Sequence, residues 1–300
     1  MYWQAYPLMF DKLLIAAKGV AMGAADVVPG VSGGTIALMT GIYPRLINAI
    51  ASFDIECIKL FFSGRFKEFW KHIDGSFLLP LLLGILTAFA LLAHTIKFAI
   101  ANHPIPTWSF FFGLIIASSI LIIQHIKHKK AAHFLWLIPG IAFGYWIGSM
   151  TSIPFPDNNS AVFVAGGIAI CAMILPGISG SFILLLIGMY ETLINAVANR
   201  NFAILAIFAT GAVIGLLIFS RVIKLVLARF YEASVFFLSG LMLGSLVKVW
   251  PWKTETTNIL PNLHPQPQTT LAITMMILAF VIVFGIDYLG RKLSVEKQTE

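Results

Sequence analysis

The sequence predicts an all-α integral membrane protein with an inverted structural repeat: two re-entrant helical hairpins plus about six full transmembrane helices. Three observations carry this. Hydrophobic residues make up 59% of the 300 residues and charged residues 11%, with a mean hydropathy of +0.90, whereas soluble domains carry about 25% charge. Six apolar runs of 17 to 22 residues each cross, or nearly cross, about 30 Å of hydrocarbon at about 1.5 Å per residue. A segment built around Pro-Gly occurs twice, in residues 19–50 and again in 166–197.

The six runs are Phe77 to Phe98, Thr107 to Gln124, Phe134 to Met150, Phe202 to Ser220, Ala233 to Val249 and Leu271 to Gly290. Two further apolar regions, Leu13 to Ile50 and Val162 to Val197, are interrupted by Pro29-Gly30 and Pro176-Gly177. Each breaks into two arms, the shorter of which would not cross unaided, which predicts a hairpin that enters and leaves on one side.

Charge sets the orientation. Lys and Arg number four in residues 51–76, three in 125–133, three in 221–231 and three in the C-terminal tail. The alternate connections are nearly empty: none in 99–106 or 151–160, and only Arg200 and Lys253 in 199–201 and 251–270. Basic residues concentrate on the cytoplasmic side of membrane proteins, so both termini are expected there. The net charge of +7 is therefore an orientation signal, and nucleic acid is not expected as a partner. The stretch Met1 to Asp11 has no basic residue before the first apolar run, which argues against a cleavable signal peptide.

The two Pro-Gly segments align without a gap at an offset of 147, with 14 identities in 32 positions. Pro29-Gly30-Val31-Ser32-Gly33-Gly34 matches Pro176-Gly177-Ile178-Ser179-Gly180-Ser181, and Gly41-Ile42-Tyr43 matches Gly188-Met189-Tyr190. Leu46-Ile47-Asn48-Ala49 matches Leu193-Ile194-Asn195-Ala196, and Gly113-Leu114 is echoed by Gly240-Leu241. Apolar composition alone does not put Pro, Gly, Ser, Tyr and Asn in register. With an odd number of spans after each hairpin, the second copy lies upside down. Residues 1–150 form the first repeat, with hairpin 13–50 entering from the cytoplasm. Residues 151–300 form the second, with hairpin 162–197 entering from outside. Inverted repeats around broken helices point to a transporter with its site near the midplane.

At each break Pro-Gly stops one helix, and Ser32 or Ser179 is placed to cap the next. The first N–H groups of such a helix favour an anion, and glycines permit close approach. Candidate substrate-binding residues are therefore Pro29, Gly30, Ser32, Gly33, Gly34 and Thr35 with Pro176, Gly177, Ser179, Gly180 and Ser181. The alternative is a self-satisfied turn of small residues that serves helix packing. Arg45 could neutralise an anionic headgroup or snorkel to the interface; Asp26, replaced by Met173 in the second copy, and Glu191 could take a coupling H+ or Na+. Asp26 could equally pair with Arg45 or with a backbone N–H. Phe61 to Trp70, with Arg65 and Lys67 among aromatics, reads as an interfacial amphipathic helix or a solvated loop. Trp108, Trp136, Trp250 and Trp252 fall near span ends, as an aromatic belt would. Cys57 and Cys171 cannot make a disulfide framework, and no His or Cys spacing suits a metal or a cofactor.

The run from Gly23 to Thr35, followed by Gly41-Ile42-Tyr43 and Leu46-Ile47, resembles the signature of the bacterial PopT family of polyprenyl-phosphate transporters, as does Leu175 to Ser181 with Gly188-Met189-Tyr190-Glu191. Pro44 departs from the acidic residue expected before the arginine. The resemblance covers essentially the whole chain. It implies a flippase that returns undecaprenyl phosphate, the carrier lipid of peptidoglycan and envelope synthesis, across the bacterial cytoplasmic membrane, with no enzymatic step. Two other readings share the cradle: a carrier of a small soluble anion, and an enzyme akin to undecaprenyl-pyrophosphate phosphatases. Those phosphatases carry arginine directly after the serine, where this chain has Gly33 and Gly180.

Overall fold

The computed structural model describes residues 9–28, 31–126, 128–150, 153–156, 158–254 and 257–299, and they form fifteen α-helices joined by short turns. In the first half these are α1 (Met9–Asp26), α2 (Gly33–Met39), α3 (Tyr43–Ala51), α4 (Ile55–Phe62), α5 (Phe66–His72), α6 (Gly75–Asn102), α7 (Pro104–His125), α8 (Ala131–Phe134) and α9 (Leu137–Ser149). The second half holds α10 (Asn159–Ile174), α11 (Gly180–Leu186), α12 (Tyr190–Ala198), α13 (Phe202–Arg229), α14 (Tyr231–Gly244) and α15 (Thr269–Thr299).

Five segments are long and apolar enough to cross a membrane: Gly75–Leu92, Pro104–His125, Ala131–Ser149, Phe202–Arg229 and Thr269–Tyr288. They coincide with five of the six expected spans. The sixth, Ala233 to Val249, corresponds to a shorter apolar helix, Tyr231–Val247, of the same length as the expected run but displaced by two residues. It ends in a 3-10 turn at Ser245–Val247 and reaches about 25 Å at about 1.5 Å per residue.

The hairpins also differ from the expected two arms, because each return arm is itself broken. The helix pair α11 and α12 is bent by 109°. Both breaks use the same stop. Gly41 and Gly188 take φ of 72° and 71°, left-handed values that a residue with a Cβ adopts only at a cost. The N–H groups of Ile42 and Met189 then reach back to the carbonyls of Ala37 and Leu184, each at 2.9 Å, closing a Schellman turn. Pro44 at the second position of α3 suits a helix start, since its missing N–H would have had no partner.

Several helices match in length between the two halves of the chain. Helices α2 and α11 are each seven residues and begin at Gly33 and Gly180; α3 and α12 are each nine; α6 and α13 are each 28. The register shortens between α12 and α13 because α12 runs into α13 through Asn199 to Asn201, whereas α3 reaches α6 through the inserted α4 and α5.

The compact units are not the two sequence halves. One unit comprises Met1–Ile96 with Met150–Ser234, and the other Lys97–Ser149 with Val235–Glu300. Each half thus gives its broken helices and first long helix to one unit, and its later helices to the other. In the first unit α1 crosses α6 where Gly19 and Gly84 lie against the backbones of Leu81 and Ala16. The equivalent glycines, Gly166 and Gly211, set the crossing of α10 and α13 against Phe208 and Phe163. Around it, Ala161, Val162, Ala165, Ile187 and Met189 form a buried cluster with Phe155, Leu184 and Phe208 packed on it. In the second unit α7 packs along α15, with Gly113 against the Met276 backbone, and α9 crosses α14 at Gly140–Gly240 and Gly144–Gly244. Trp250 and Trp252 are not simply belt residues. Their indole N–H groups donate to the carbonyls of Ile259 and Pro267 at 2.8 and 2.6 Å, and Trp252 is buried with Ile105 and Ala272.

Small residues at these crossings let backbones touch, which is how helices associate where lipid offers no hydrophobic drive. Gly84→Leu and Gly211→Leu are each expected to lower the melting temperature of the detergent-solubilised protein, because overpacking costs about 1–3 kcal/mol. Gly285→Leu, where an added Cβ meets nothing within 4 Å, should leave it unchanged.

Candidate functional site

Both backbone breaks lie in the first compact unit, and they touch. The helix α10 ends because Pro176 cannot continue it, leaving the last carbonyls of the helix without the N–H groups of a following turn. Ser32, the N-cap of α2, supplies the missing donor: its Oγ stands 3.0 Å from the Met173 carbonyl and 3.2 Å from that of Leu175. In return the N–H of Gly177 donates to Thr35 Oγ1 at 3.0 Å. Ser32 and Thr35 are fully buried. Gly34 allows this approach, since a Cβ there would lie 2.6 Å from the Ile174 carbonyl.

The two helix starts, similar in sequence, are satisfied differently. At α2, the Gly33 N–H donates to Asp26 Oδ1 at 2.6 Å, that of Gly34 to Ser32 Oγ at 3.1 Å, and that of Thr35 to the Ser32 carbonyl at 2.9 Å. The half-buried carboxylate of Asp26 thus holds the place at Gly33 where an anion was expected, and Gly33 is the residue that fits, because a Cβ there would meet Asp26 Oδ2 at 2.5 Å. At α11, Met173 stands in place of Asp26. Ser179 is extended and makes no side-chain cap; its hydroxyl pairs instead with that of Ser181 at 2.8 Å. Gly177, at φ 87°, turns the chain into this start.

Of the residues expected to form the site, the structure brings together Ser32, Gly34, Thr35 and Gly177, with Gly33 and Asp26 beside them on the first copy and Ser179, Gly180 and Ser181 following on the second. Pro176 lies in the turn between α10 and α11. Pro29 and Gly30 lie outside the described residues.

Arg45 has a different partner from either one expected. Its guanidinium grips Asp74 through two hydrogen bonds, Nε to Oδ2 at 2.6 Å and Nη2 to Oδ1 at 3.0 Å, and stacks 4.5 Å above the Phe77 ring. It therefore joins α3 to the start of α6, while Asp26 is bound to a backbone N–H. Glu191 is exposed in the first turn of α12.

Sequence reasoning passed over two polar groups nearby. Lys18, in the middle of α1, donates from Nζ to the Thr40 carbonyl at 2.9 Å and so pins α1 to the end of α2; a charge within an apolar helix was the signal. Tyr43 is fully buried with its hydroxyl unpartnered among the described residues.

The arrangement presents buried hydroxyls and glycine backbone at the meeting of two chain breaks. Among the described residues no group of three or more His, Cys, Asp or Glu side chains could hold a metal. Hydroxyls, N–H groups and a single carboxylate line the place where the breaks meet.

Comparison with known proteins agrees in kind. A family model described as undecaprenyl phosphate translocase-like matches residues 22–265. A polyprenyl-phosphate transporter of Vibrio cholerae is 44% identical over 295 residues, 92% of this chain and 96% of the relative. A polyprenyl-phosphate transporter of Staphylococcus aureus is 36% identical over 253 residues, 78% of this chain and 84% of the relative. No solved structure matches the chain. With the family model covering both breaks and most of the chain between its termini, this multi-pass membrane protein belongs to the undecaprenyl phosphate translocase-like family of transporters.

Proposed function

We propose that the protein carries undecaprenyl phosphate between the leaflets of the bacterial cytoplasmic membrane, holding the phosphate where the two breaks meet while the polyprenyl tail stays in lipid. The observation that carries the reading is the contact of Ser32 and Thr35 with the backbone of Met173, Leu175 and Gly177, in a chain whose relatives bear the name of polyprenyl-phosphate transporters.

In this reading the halves 1–150 and 151–300 are inverted repeats with both termini cytoplasmic. Support comes from the equal lengths of the paired helices, from the equivalent glycine crossings, and from the exchange by which α7 packs on α15 and α14 on α9. The hydrogen bonds between the breaks are few and neutral, each worth about 1 kcal/mol net, so they can part and re-form as one repeat rocks against the other. The phosphate rests mainly on the second start, at Gly177, Ser179, Gly180 and Ser181, because the first already holds Asp26. Asp26 is then the place where a coupling proton or sodium ion acts: neutralising it weakens its hold on the Gly33 N–H and opens that donor to the phosphate. Pro176 ends α10 and so shapes the second turn. Glu191 is a second coupling position, and Arg45 acts through Asp74 rather than on the phosphate.

The test is the purified protein in liposomes, with labelled polyprenyl phosphate followed between leaflets. Movement of the lipid is expected; release of inorganic phosphate, or uptake of a soluble anion in its place, would sink the proposal. Ser179→Ala with Ser181→Ala is expected to weaken apparent substrate affinity about ten-fold, as lost hydrogen bonds to a charged group do, at an unchanged melting temperature. Ser32→Ala should instead lower the melting temperature, because it leaves buried carbonyls without a donor at about 1–3 kcal/mol. Asp26→Asn is expected to abolish the dependence of transport on an imposed proton or sodium gradient; a retained dependence would move the coupling site elsewhere.

A further inference from the structure

Helices α4 and α5 have no counterpart in the second half of the chain, where three residues make the same connection. At eight and seven residues they are too short to span. Helix α5 ends at His72, and α6, whose candidate span begins at Gly75, follows directly. Its position in the chain therefore places the pair at the depth where a span meets the headgroups.

Of α4 only Cys57 and Leu60 are buried, and polar contacts hold the pair at its neck. Asp54 caps α4 by accepting from the Cys57 N–H at 2.9 Å, a bond that holds its carboxyl below the usual carboxylate range, and it also meets His72 Nε2 at 3.1 Å, closing the two ends on each other. Arg221 of α13 donates to the Phe53 carbonyl at 3.0 Å, and the Arg45–Asp74 pair fixes the exit into α6.

What this neck presents is apolar and uncovered. Ile55 is 73% exposed and Phe62 82%; Ile58, Phe61, Phe66 and Trp70 are exposed as well, and α5 buries no residue. Phe61 stands edge-on to Phe62, Phe66 and Phe69 at 5.4 to 5.7 Å, across a turn made by Gly64. Beside this aromatic face, Lys67 and Lys71 recur one helical turn apart, and Lys59 stands on α4. Arg65 is paired with Glu68, but among the described residues no ion pair engages Lys59, Lys67 or Lys71. Aromatic rings with unneutralised ammonium groups alongside, at the end of a span, match the boundary between acyl chains and acidic headgroups.

We propose that α4 and α5 form an in-plane platform that lies in one leaflet and gathers anionic phospholipid headgroups through Lys59, Lys67 and Lys71. The platform belongs to the first half alone, so the protein has one leaflet face that selects for negative charge.

The test uses the full chain, with Cys57→Ala and Cys171→Ala, spin-labelled at Phe62→Cys and, in a second preparation, at Ile58→Cys. Vesicles contain phosphatidylcholine with or without phosphatidylglycerol. The labels are expected to collide with oxygen dissolved in lipid more than with a water-soluble nickel reagent, and to move deeper when phosphatidylglycerol is present. Lys67→Gln with Lys71→Gln should remove that shift. Labels open to the nickel reagent in both vesicles, or a depth indifferent to lipid charge and to the lysines, would overturn the proposal. Shielding that persists in detergent and grows with protein concentration would overturn it too, by assigning the face to a second copy.

Discussion

A backbone interrupted within hydrocarbon leaves carbonyls and N–H groups that water cannot reach, and each such group costs several kcal/mol unless another part of the protein meets it. In this chain the cost falls on the turn after α10, and it is met from the first copy: the Ser32 hydroxyl faces the Met173 and Leu175 carbonyls, and the Thr35 hydroxyl receives the Gly177 N–H. The second break is not complete alone. The demand for partners draws two segments separated by more than 140 positions into one buried place, and the glycines that let α1 approach α6 and α10 approach α13 make that approach sterically feasible.

Much of this was legible in the sequence, for identifiable reasons. Long spans announce themselves through composition alone, because lipid demands about 20 apolar residues in succession. The repeat was legible because Pro, Gly, Ser and Tyr recur in register. The second break in each return arm was less so, although Gly41 with Pro44 carried its signal, since a brief pause in an apolar run looks like continuity. The 3-10 end of α14 escaped because hydropathy does not distinguish an α-turn from a 3-10 turn. The interleaved units escaped because pairing α7 with α15, or α9 with α14, depends on which glycines meet.

The site residues divide along the same line. Ser32 was recognisable as a cap from its place before Gly33 and Gly34, but its second role was not, since its partners are backbone carbonyls and every residue type has one. Arg45 invited a role with an anion on charge alone. Its attachment to Asp74 depends on the inserted α4 and α5, which return the chain to α3, and on the left-handed backbone of Asp74 at φ 50°.

The copies differ where a lipid anion would feel it most. Asp26, Gly34 and Thr35 stand opposite Met173, Ser181 and Phe182, and the hydrogen bonding follows: a carboxylate and a hydroxyl latch on one side, a hydroxyl pair on the other. A unit negative charge brought within about 4 Å of an ionised Asp26 would be opposed by about 4 kcal/mol at an effective dielectric of about 20, roughly a thousand-fold in occupancy. One added hydrogen bond to a charged group, at about 1.5–3 kcal/mol, does not offset that. A phosphate at the meeting of the breaks therefore has two courses: to rest on the Ser179 side, or to arrive with a cation that neutralises Asp26. In the carrier proposed above, one carboxylate separates these two courses, while net movement follows the gradient of the lipid or of the cation that arrives with it.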